Sequence, residues 1–304
     1  MSKKKGSLKL AIDLPDTTRF STGFISLDNI TGGGLVVGSI VEIFGNESVG
    51  KTTLGLQLLA KAQKDGYETL LIDAEHVTTK EYAARFLDNE RLYYERPASG
   101  EEAYDKLRLF WRDFGDVKNM VLIDSVPALI PETQVETGES NFGPVASLMA
   151  KNLPSILRGY SNSIVIFINQ MRANTSQWGS ETKTTGGKAL PFYAGHRFSL
   201  TKAMIARDSD KQATGTVVKV YCEKNKFGAP FKVCQLELGF GDGYSMIADI
   251  VNNAVDRGII EKSGAWYSYN GERIGQGKKT VVGFLEDNEN IQGEIYGKLV
   301  KRSL

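Results

Sequence analysis

Four short apolar runs mark the first two thirds of the chain: IVEIF (40–44), TLLID (69–73), MVLID (120–124) and IVIFI (164–168). Each is apolar at consecutive rather than alternate positions, the pattern of strands covered on both faces, and helical spacing fills the intervals between them. From Gly23 to residue 201 this alternation predicts an α/β core, a mostly parallel sheet flanked by helices. After residue 201 the texture changes. TVVKVYCEKNKFGAPFKVCQLELG reads as a hairpin whose middle, KNKFGAP, carries the turn, so the sheet is extended by antiparallel strands. Beyond Gly243 come a helical stretch, MIADIVNNAVDRGII, then AWYSYNGERIGQG and an amphipathic tail, predicting a small C-terminal α/β domain. The expected organisation is an N-terminal segment over 1–22, a core over 23–243 and the small domain over 244–304. Within the first segment SLKLAID (7–13) alternates like a strand with no partner near it in sequence.

With 41% hydrophobic and 24% charged residues the composition is that of an ordinary globular protein, which excludes disordered and fibrous classes. Lys plus Arg (37) nearly cancels Asp plus Glu (36), so a nucleic-acid surface, if present, must be local. Met1-Ser2-Lys3-Lys4-Lys5 is not followed by an apolar stretch, and no run approaches the ~18 apolar residues of a membrane span. A cytoplasmic protein without membrane contact is expected. Cys222 and Cys234 lie in strand-like runs without CxxC spacing and read as reduced core residues; with His76 and His196 the only histidines, no zinc site is expected.

The strongest chemical signal is Gly45-Asn46-Glu47-Ser48-Val49-Gly50-Lys51-Thr52-Thr53, which follows a strand and opens a helix, the context a P-loop requires. Its glycines let backbone N–H groups turn inward around phosphate oxygens at the positive end of the following helix, and Lys51 brings a point charge to the β- and γ-phosphates. ATP is the predicted nucleotide and Mg²⁺ the predicted ion, with the Thr52 hydroxyl as its ligand and Asp124, ending MVLID, as the accompanying carboxylate. Asp124 could alternatively be a capping residue at a strand end. Glu75 follows TLLID at the carboxyl end of a strand, where ligands of open α/β sheets collect, and a carboxylate there can activate an attacking water. By itself it could equally be a surface glutamate; His76 reads as structural. Residues 171–187 (MRANTSQWGSETKTTGG) form a long polar segment without predicted structure that holds Arg172, Trp178, Lys183, Gly186 and Gly187, which makes it the best candidate for a DNA-contacting loop.

Taken together, GNESVGKTT, LLIDAEH, VLIDSV, IFINQMR, TTGGKALPFYAGHR, KNKFGAPF and GAWYSYNGERIGQGK resemble the bacterial RecA recombinase family in order and spacing, from about Phe20 to the C-terminus. The resemblance implies a RecA-type P-loop ATPase core and a protein of DNA recombination, repair and the response to DNA damage. It would assemble as a helical filament on single-stranded DNA, pair it with double-stranded DNA and hydrolyse ATP when DNA is bound. It implies Glu75 as the water-activating glutamate and Gln170 as the γ-phosphate sensor that orders the next loop. Residues 171–187 then correspond to the second DNA-binding loop and 136–143 (ETGESNFG) to the first, with Phe142 or Trp178 available to support bases, although loop aromatics are often packing anchors. Lys224 and Lys226 match a pair that reaches the γ-phosphate of the neighbouring subunit, Tyr82 an adenine-stacking tyrosine, Phe240 an aromatic covering adenine from the next subunit, and Phe192 an intersubunit contact. The C-terminal domain would guide duplex DNA, with Lys262, Arg273, Lys278 and Lys279 as its cations or as a solvated face.

The pattern also departs from the family. Twenty residues precede Ser21, fewer than the family's N-terminal helix and strand need, so a filament with fewer contacts is expected; the family's C-terminal run of acids is also missing, so readier nucleation on DNA is expected. Thr79 stands where an adenine-contacting acid is usual, Ser147 and Pro154 where arginines face DNA, and a polar residue near Thr175 replaces an apolar wedge. The competing reading is a regulatory or motor ATPase of the same fold that does not act on DNA; a mediator that binds nucleotide without hydrolysis is disfavoured by Glu75.

Overall fold

The computed structural model describes residues 16–137, 143–159, 161–173, 182–207 and 210–301; the SLKLAID run lies outside them. The fold begins with β1 (Arg19–Phe20), α1 (Ile25–Thr31) and β2 (Leu35–Val36), the two short strands pairing antiparallel. β3 (Ser39–Gly45) is buried along its whole length and leads directly into α2 (Lys51–Lys64). β4 (Glu68–Asp73), α3 (Lys80–Ala83), β5 (Leu92–Glu95), α4 (Gly100–Phe114) and β6 (Asn119–Asp124) continue the alternation. The start of α4 is fixed by side-chain caps: Ser99 at the N-cap accepts from the Glu102 amide at 3.2 Å, and the Glu102 carboxylate accepts from the amide of the preceding Ala98 at 2.7 Å. Two helices, α5 (Glu132–Thr137) and α6 (Gly143–Gly159), precede β7 (Ser163–Ala173). Then come β8 (Thr182–Thr184), α7 (Ala189–Tyr193), β9 (His196–Arg207), β10 (Ala213–Asn225), β11 (Val233–Gly239) and β12 (Gly243–Tyr244).

Among the described residues the main sheet has the order β12-β11-β10-β9-β3-β7-β6-β4-β5, with β8 on β7. The six strands from β9 to β5 are parallel, and β10, β11 and β12 are antiparallel additions. Since successive side chains alternate in direction, each central strand feeds two cores. Val41, Ile43, Leu71, Leu122 and Ile166 pack with Leu54 and Leu58 of α2 on one face. On the other, Ile40, Leu70, Val121, Val165 and Phe167 pack with α4 and α6. Each such side chain contributes roughly 1.5–3 kcal/mol by leaving water, which is why consecutive apolar positions were the correct signal.

The last sixty residues build a third core. α8 (Met246–Asp256) is followed by β13 (Glu261–Ser263), β14 (Trp266–Tyr269) and β15 (Glu272–Gln276), an antiparallel sheet, and by α9 (Lys278–Asp287) and α10 (Glu289–Lys301). Val251, Tyr267, Ile274, Val281 and Leu299 meet there, together with Ile25 from α1. Asp249 of α8 accepts from the Ser26 amide at 3.0 Å, joining this unit to the core. The helix expected over 246–260 stops at Asp256, before Gly258, which turns at a φ of 65°.

The 171–187 segment is not structureless where it is described. β7 runs on to Ala173 and pairs antiparallel with Thr182–Thr184, because the β-branched TKT run suits a strand although it is polar. Likewise α5 extends to Thr137, into the expected first loop. Cys222 and Cys234 are free and buried, and burial pushes the Cys222 thiol up to about 11. No helix among the described residues is long and apolar enough to cross a membrane.

Candidate nucleotide site and DNA-facing segments

The parallel register brings the carboxyl ends of four strands into one row, with Gly45 opposite Gln170 and Asp73 opposite Asp124. Open α/β sheets bind ligands along such a row. Buried Asp73 shapes the loop that follows it: its carboxylate accepts from the amides of Val77 (3.3 Å) and Thr78 (3.0 Å) and from the Tyr94 hydroxyl (2.8 Å), and pairs with Arg96. The loop therefore folds back, and the Glu75 amide donates to the Asp124 carbonyl at 3.1 Å. The Glu75 carboxylate accepts from the Ser125 hydroxyl and, at 3.4 Å, from the Gln170 side-chain amide. His76, at a φ of 58°, places Nε2 3.1 Å from the Pro97 carbonyl, in keeping with a structural role.

Facing this row, the P-loop enters α2 through Gly50 at a φ of 90°. A Cβ there would lie 2.6 Å from the Tyr244 hydroxyl, so conformation and packing both demand glycine. Lys51 Nζ donates to the carbonyls of Gly45 (3.1 Å) and Asn46 (2.7 Å). Burial lowers its pKa, opposed by the charges of Asp124, Glu75 and Glu47. Thr52 donates to Asp124 at 2.6 Å. Burial pushes the Asp124 carboxyl up to about 6, with the Thr52 hydrogen bond opposing and the nearby Glu75 and Asp73 adding to the shift. A hydroxyl and one carboxylate are hard oxygen donors suited to Mg²⁺. Among the described residues no group of three or more His, Cys, Asp or Glu could hold a metal, so a cation here would draw its remaining ligands from phosphate and water.

Beside the P-loop, Ser48, Thr53, Tyr82, Phe86, Leu238 and Phe240 line a cleft of about 330 Å³. The Tyr82 hydroxyl is 2.8 Å from that of Thr53, and its ring meets Phe86 edge-on. Phe240, 55% exposed, also lines this cleft. Thr79, in the place of the family's acid, caps α3 by accepting from the Tyr82 amide at 3.1 Å.

Lys224 and Lys226 are not brought to this site. Arg197, the register partner of Lys224, also pairs with Glu42, so their turn lies toward the amino ends of the parallel strands, whereas the P-loop leaves Gly45 at the carboxyl end. Lys224 Nζ donates to the carbonyls of Pro191 (2.6 Å) and Phe192 (2.9 Å), and Lys226 Nζ to that of Tyr193 (3.3 Å). Partial burial, then the charges of Lys226 and Arg197, push Lys224 down to about 8, with Glu42 opposing. Phe192 is 69% exposed beside them, with the Lys226 ammonium 5.8 Å from its ring centre.

Of the DNA-facing residues expected from sequence, Phe142 and Trp178 lie outside the described residues. Arg172 and Lys183 are register partners at the stem of the β7–β8 hairpin. Gly186 and Gly187 have φ values of 87° and 73°, and a Cβ at either would lie 2.8 Å from Val126 or Ala146 side-chain atoms, so the hairpin's exit packs against α6 and the segment after β6. On α6, with Ser147 and Pro154 in the arginine places, Lys151 is exposed. In the C-terminal domain Lys278 is committed to an ion pair with Glu237 of β11, while Lys262 and Arg273 lie over the rings of Tyr267 and Trp266.

Sequence reasoning missed three groups. Ser125 holds Glu75 and directly follows Asp124 through a cis peptide; the adjacency could have flagged it. Glu42 and Asn169 are fully buried polar residues in otherwise apolar strands, a signal visible in IVEIF and IFINQ. Tyr244 donates to the P-loop carbonyls of Val49 (3.2 Å) and Gly50 (3.3 Å) from far along the chain, and nothing local announces it.

A family model described as the RecA N-terminal domain matches residues 4–245, and one described as the RecA C-terminal domain matches 248–303. The chain is 41% identical over 290 residues to Protein RecA of Methylobacterium radiotolerans, covering 93% of this chain and 79% of that one. It is 39% identical over 296 residues to Protein RecA of Thioalkalivibrio sulfidiphilus (95% and 85% covered) and 40% over 286 residues to that of Chloroherpeton thalassium (92% and 79%). With both domain models matched in order around a P-loop, strand-end carboxylates and a distant lysine turn, this chain belongs to the RecA family of recombinases, which are DNA-dependent ATPases.

Proposed function

We propose that this chain binds ATP with Mg²⁺ in the cytoplasm, assembles as a helical filament on single-stranded DNA, and pairs that strand with homologous duplex, hydrolysing ATP to ADP and phosphate when DNA is bound. The observation that carries this reading is the separation of the two cationic groups. Lys51 is sequestered at the carboxyl end of the sheet, whereas the Lys224–Lys226 turn presents its cations beside exposed Phe192 toward the other end. A head-to-tail contact between copies would bring one chain's lysine turn to the next chain's phosphates, so that hydrolysis depends on assembly.

Within one chain the roles follow from chemistry. The P-loop amides and Lys51 hold the phosphates; Thr52 and Asp124 would hold Mg²⁺, which supplies neutralisation of phosphate charge. Glu75, steadied by Ser125 and Gln170, orients the attacking water and takes its proton as the bond to the γ-phosphorus forms and ADP leaves. Lys224 and Lys226 of a neighbour stabilise charge on the transferred group. Tyr82 and Phe240 receive the base in the cleft of their own chain. Gln170 stands at the base of the hairpin bearing Arg172 and Lys183, with Gly186 and Gly187 at its exit, so loss of the γ-phosphate would be felt at the DNA-facing loop that includes Trp178, while Phe142 belongs to the other DNA-facing loop.

Steady-state ATP hydrolysis with and without single-stranded DNA tests this reading. Strong stimulation by DNA is expected; hydrolysis indifferent to DNA at low salt would instead favour a regulatory ATPase of the same fold.

A further inference from the structure

Glu42 lies in the middle of β3, fully buried in a strand whose neighbours in sequence are apolar. Its two carboxylate oxygens are divided between neighbouring strands. Oε1 accepts from the Asn169 side-chain amide at 2.8 Å, and Oε2 from Arg197 Nε at 2.5 Å. Asn169 is itself well partnered: its second amide hydrogen goes to the Thr185 carbonyl at 2.8 Å, and its side-chain oxygen accepts from the Gln170 backbone amide at 2.9 Å. On the far side, Arg197 pairs through Nη1 with Glu223 at 2.6 Å, stacks 4.7 Å from the Phe44 ring centre, and is the register partner of Lys224.

The result is one continuous chain of contacts. It starts at Gln170 and the hairpin exit at Thr185, crosses the sheet through Asn169, Glu42 and Arg197, and ends on Glu223 beside the lysine turn. Glu42 spends its two oxygens on different neighbours, Asn169 and Arg197, so a shift of either strand is felt by the other through it. The charged members make the link costly to break: Arg197 is 13% exposed and Glu42 not at all, so Glu42 cannot release Arg197 to water without stranding a buried charge.

We propose that Glu42 is a positioning residue that relays the state of a chain's own nucleotide, read at Gln170, to the Lys224–Lys226 turn that serves the next chain. Hydrolysis at one site then sets the placement of the lysines at the adjacent site, making successive sites cooperative. This inference rests on the filament reading above and adds to it the route by which neighbouring sites communicate.

The test is the ATP dependence of hydrolysis by the full chain with a single-stranded oligothymidylate, comparing wild type, Glu42→Gln and Glu223→Gln. Glutamine at 42 can still accept from Asn169 but turns an N–H toward the Arg197 N–H. Glu223, 41% exposed, breaks only the outer link and keeps the test alive should the buried variant fail to fold. Wild type is expected to be sigmoidal in ATP. The Hill coefficient should fall toward 1 in Glu42→Gln and partway in Glu223→Gln, with the thermal midpoint of Glu223→Gln unchanged. A purely structural role would lower stability and leave the Hill coefficient alone. Wild-type cooperativity retained in both variants overturns the relay. A wild type that is stimulated by DNA yet hyperbolic in ATP also overturns it, with the proposed function standing; absence of DNA stimulation removes both.

Discussion

The carboxyl and amino ends of the parallel strands are built on opposite terms. At the carboxyl end Lys51, Thr52, Asp124, Glu75 and Gln170 each have a partner within the chain, and Tyr244 secures the loop beneath them. At the other end Lys224 and Lys226 rest on carbonyls of α7, Phe192 is exposed, and His196 below them is buried with neither ring nitrogen hydrogen-bonded. Its ring packs instead against Phe198 and Phe227. The groups at the carboxyl end are thus positioned within their own chain, whereas the other end leaves a cationic, aromatic face on an apolar footing. In the filament proposed above, these two ends would meet between molecules as the halves of one catalytic apparatus.

The most severe way to break the carboxyl end alone is Glu75→Gln. It should lower DNA-stimulated hydrolysis on the order of 10³-fold by removing the base, while single-strand binding persists. Equal loss of DNA binding, measured by fluorescence anisotropy, would show that the two ends are not separable.

The amino end is sharpened by acid. Burial first, then the charge of Arg19, holds His196 down at about 4. The unfolded chain binds this proton at the ordinary value of about 6.5, so between those values the unfolded state carries more protons and stability falls as pH drops. The contribution at stake is about 3 kcal/mol, present above pH 6.5 and lost progressively toward pH 4. Denaturant midpoints taken across this window should fall less steeply in His196→Leu than in wild type; parallel slopes would remove His196 as the cause.

The smallest expected change is Tyr244→Phe, which keeps the ring packed on Phe24 but loses the hydroxyl that meets the Val49 and Gly50 carbonyls. About 1 kcal/mol of stability should go with it, read from urea unfolding, along with weaker nucleotide binding. Unchanged affinity would mean that the P-loop holds its shape unaided.

Much of the carboxyl end was legible in the sequence because its elements are local: a P-loop between an apolar strand and a helix, and carboxylates closing apolar runs at Asp73 and Asp124. The amino end was legible only through resemblance, since two lysines in a turn are by default solvated and their distance from the P-loop is a property of topology. The hairpin stem of β7 and β8 was read as structureless because its partner strand is short and polar, its pairing decided by the adjacent β7 edge rather than by hydrophobic pattern. Phe240 lies near the P-loop for a reason no local pattern shows: the turn between β11 and β12 folds back through Gln57, which accepts from the Tyr244 amide at 2.7 Å across 187 residues. Glu42 and Asn169 could have been noticed, as charged and amide groups amid runs that otherwise exclude them.

The central claim, that one chain's carboxyl end is completed by another chain's lysine turn, is tested most directly by mixing two inactive variants. Glu75→Gln retains the lysines and Lys226→Ala retains the water-activating carboxylate, so in an equal mixture on single-stranded DNA about a quarter of head-to-tail contacts join two intact halves. Hydrolysis returning to about that fraction of the wild-type rate is the predicted result. A mixture no more active than the sum of its parents would contradict the account.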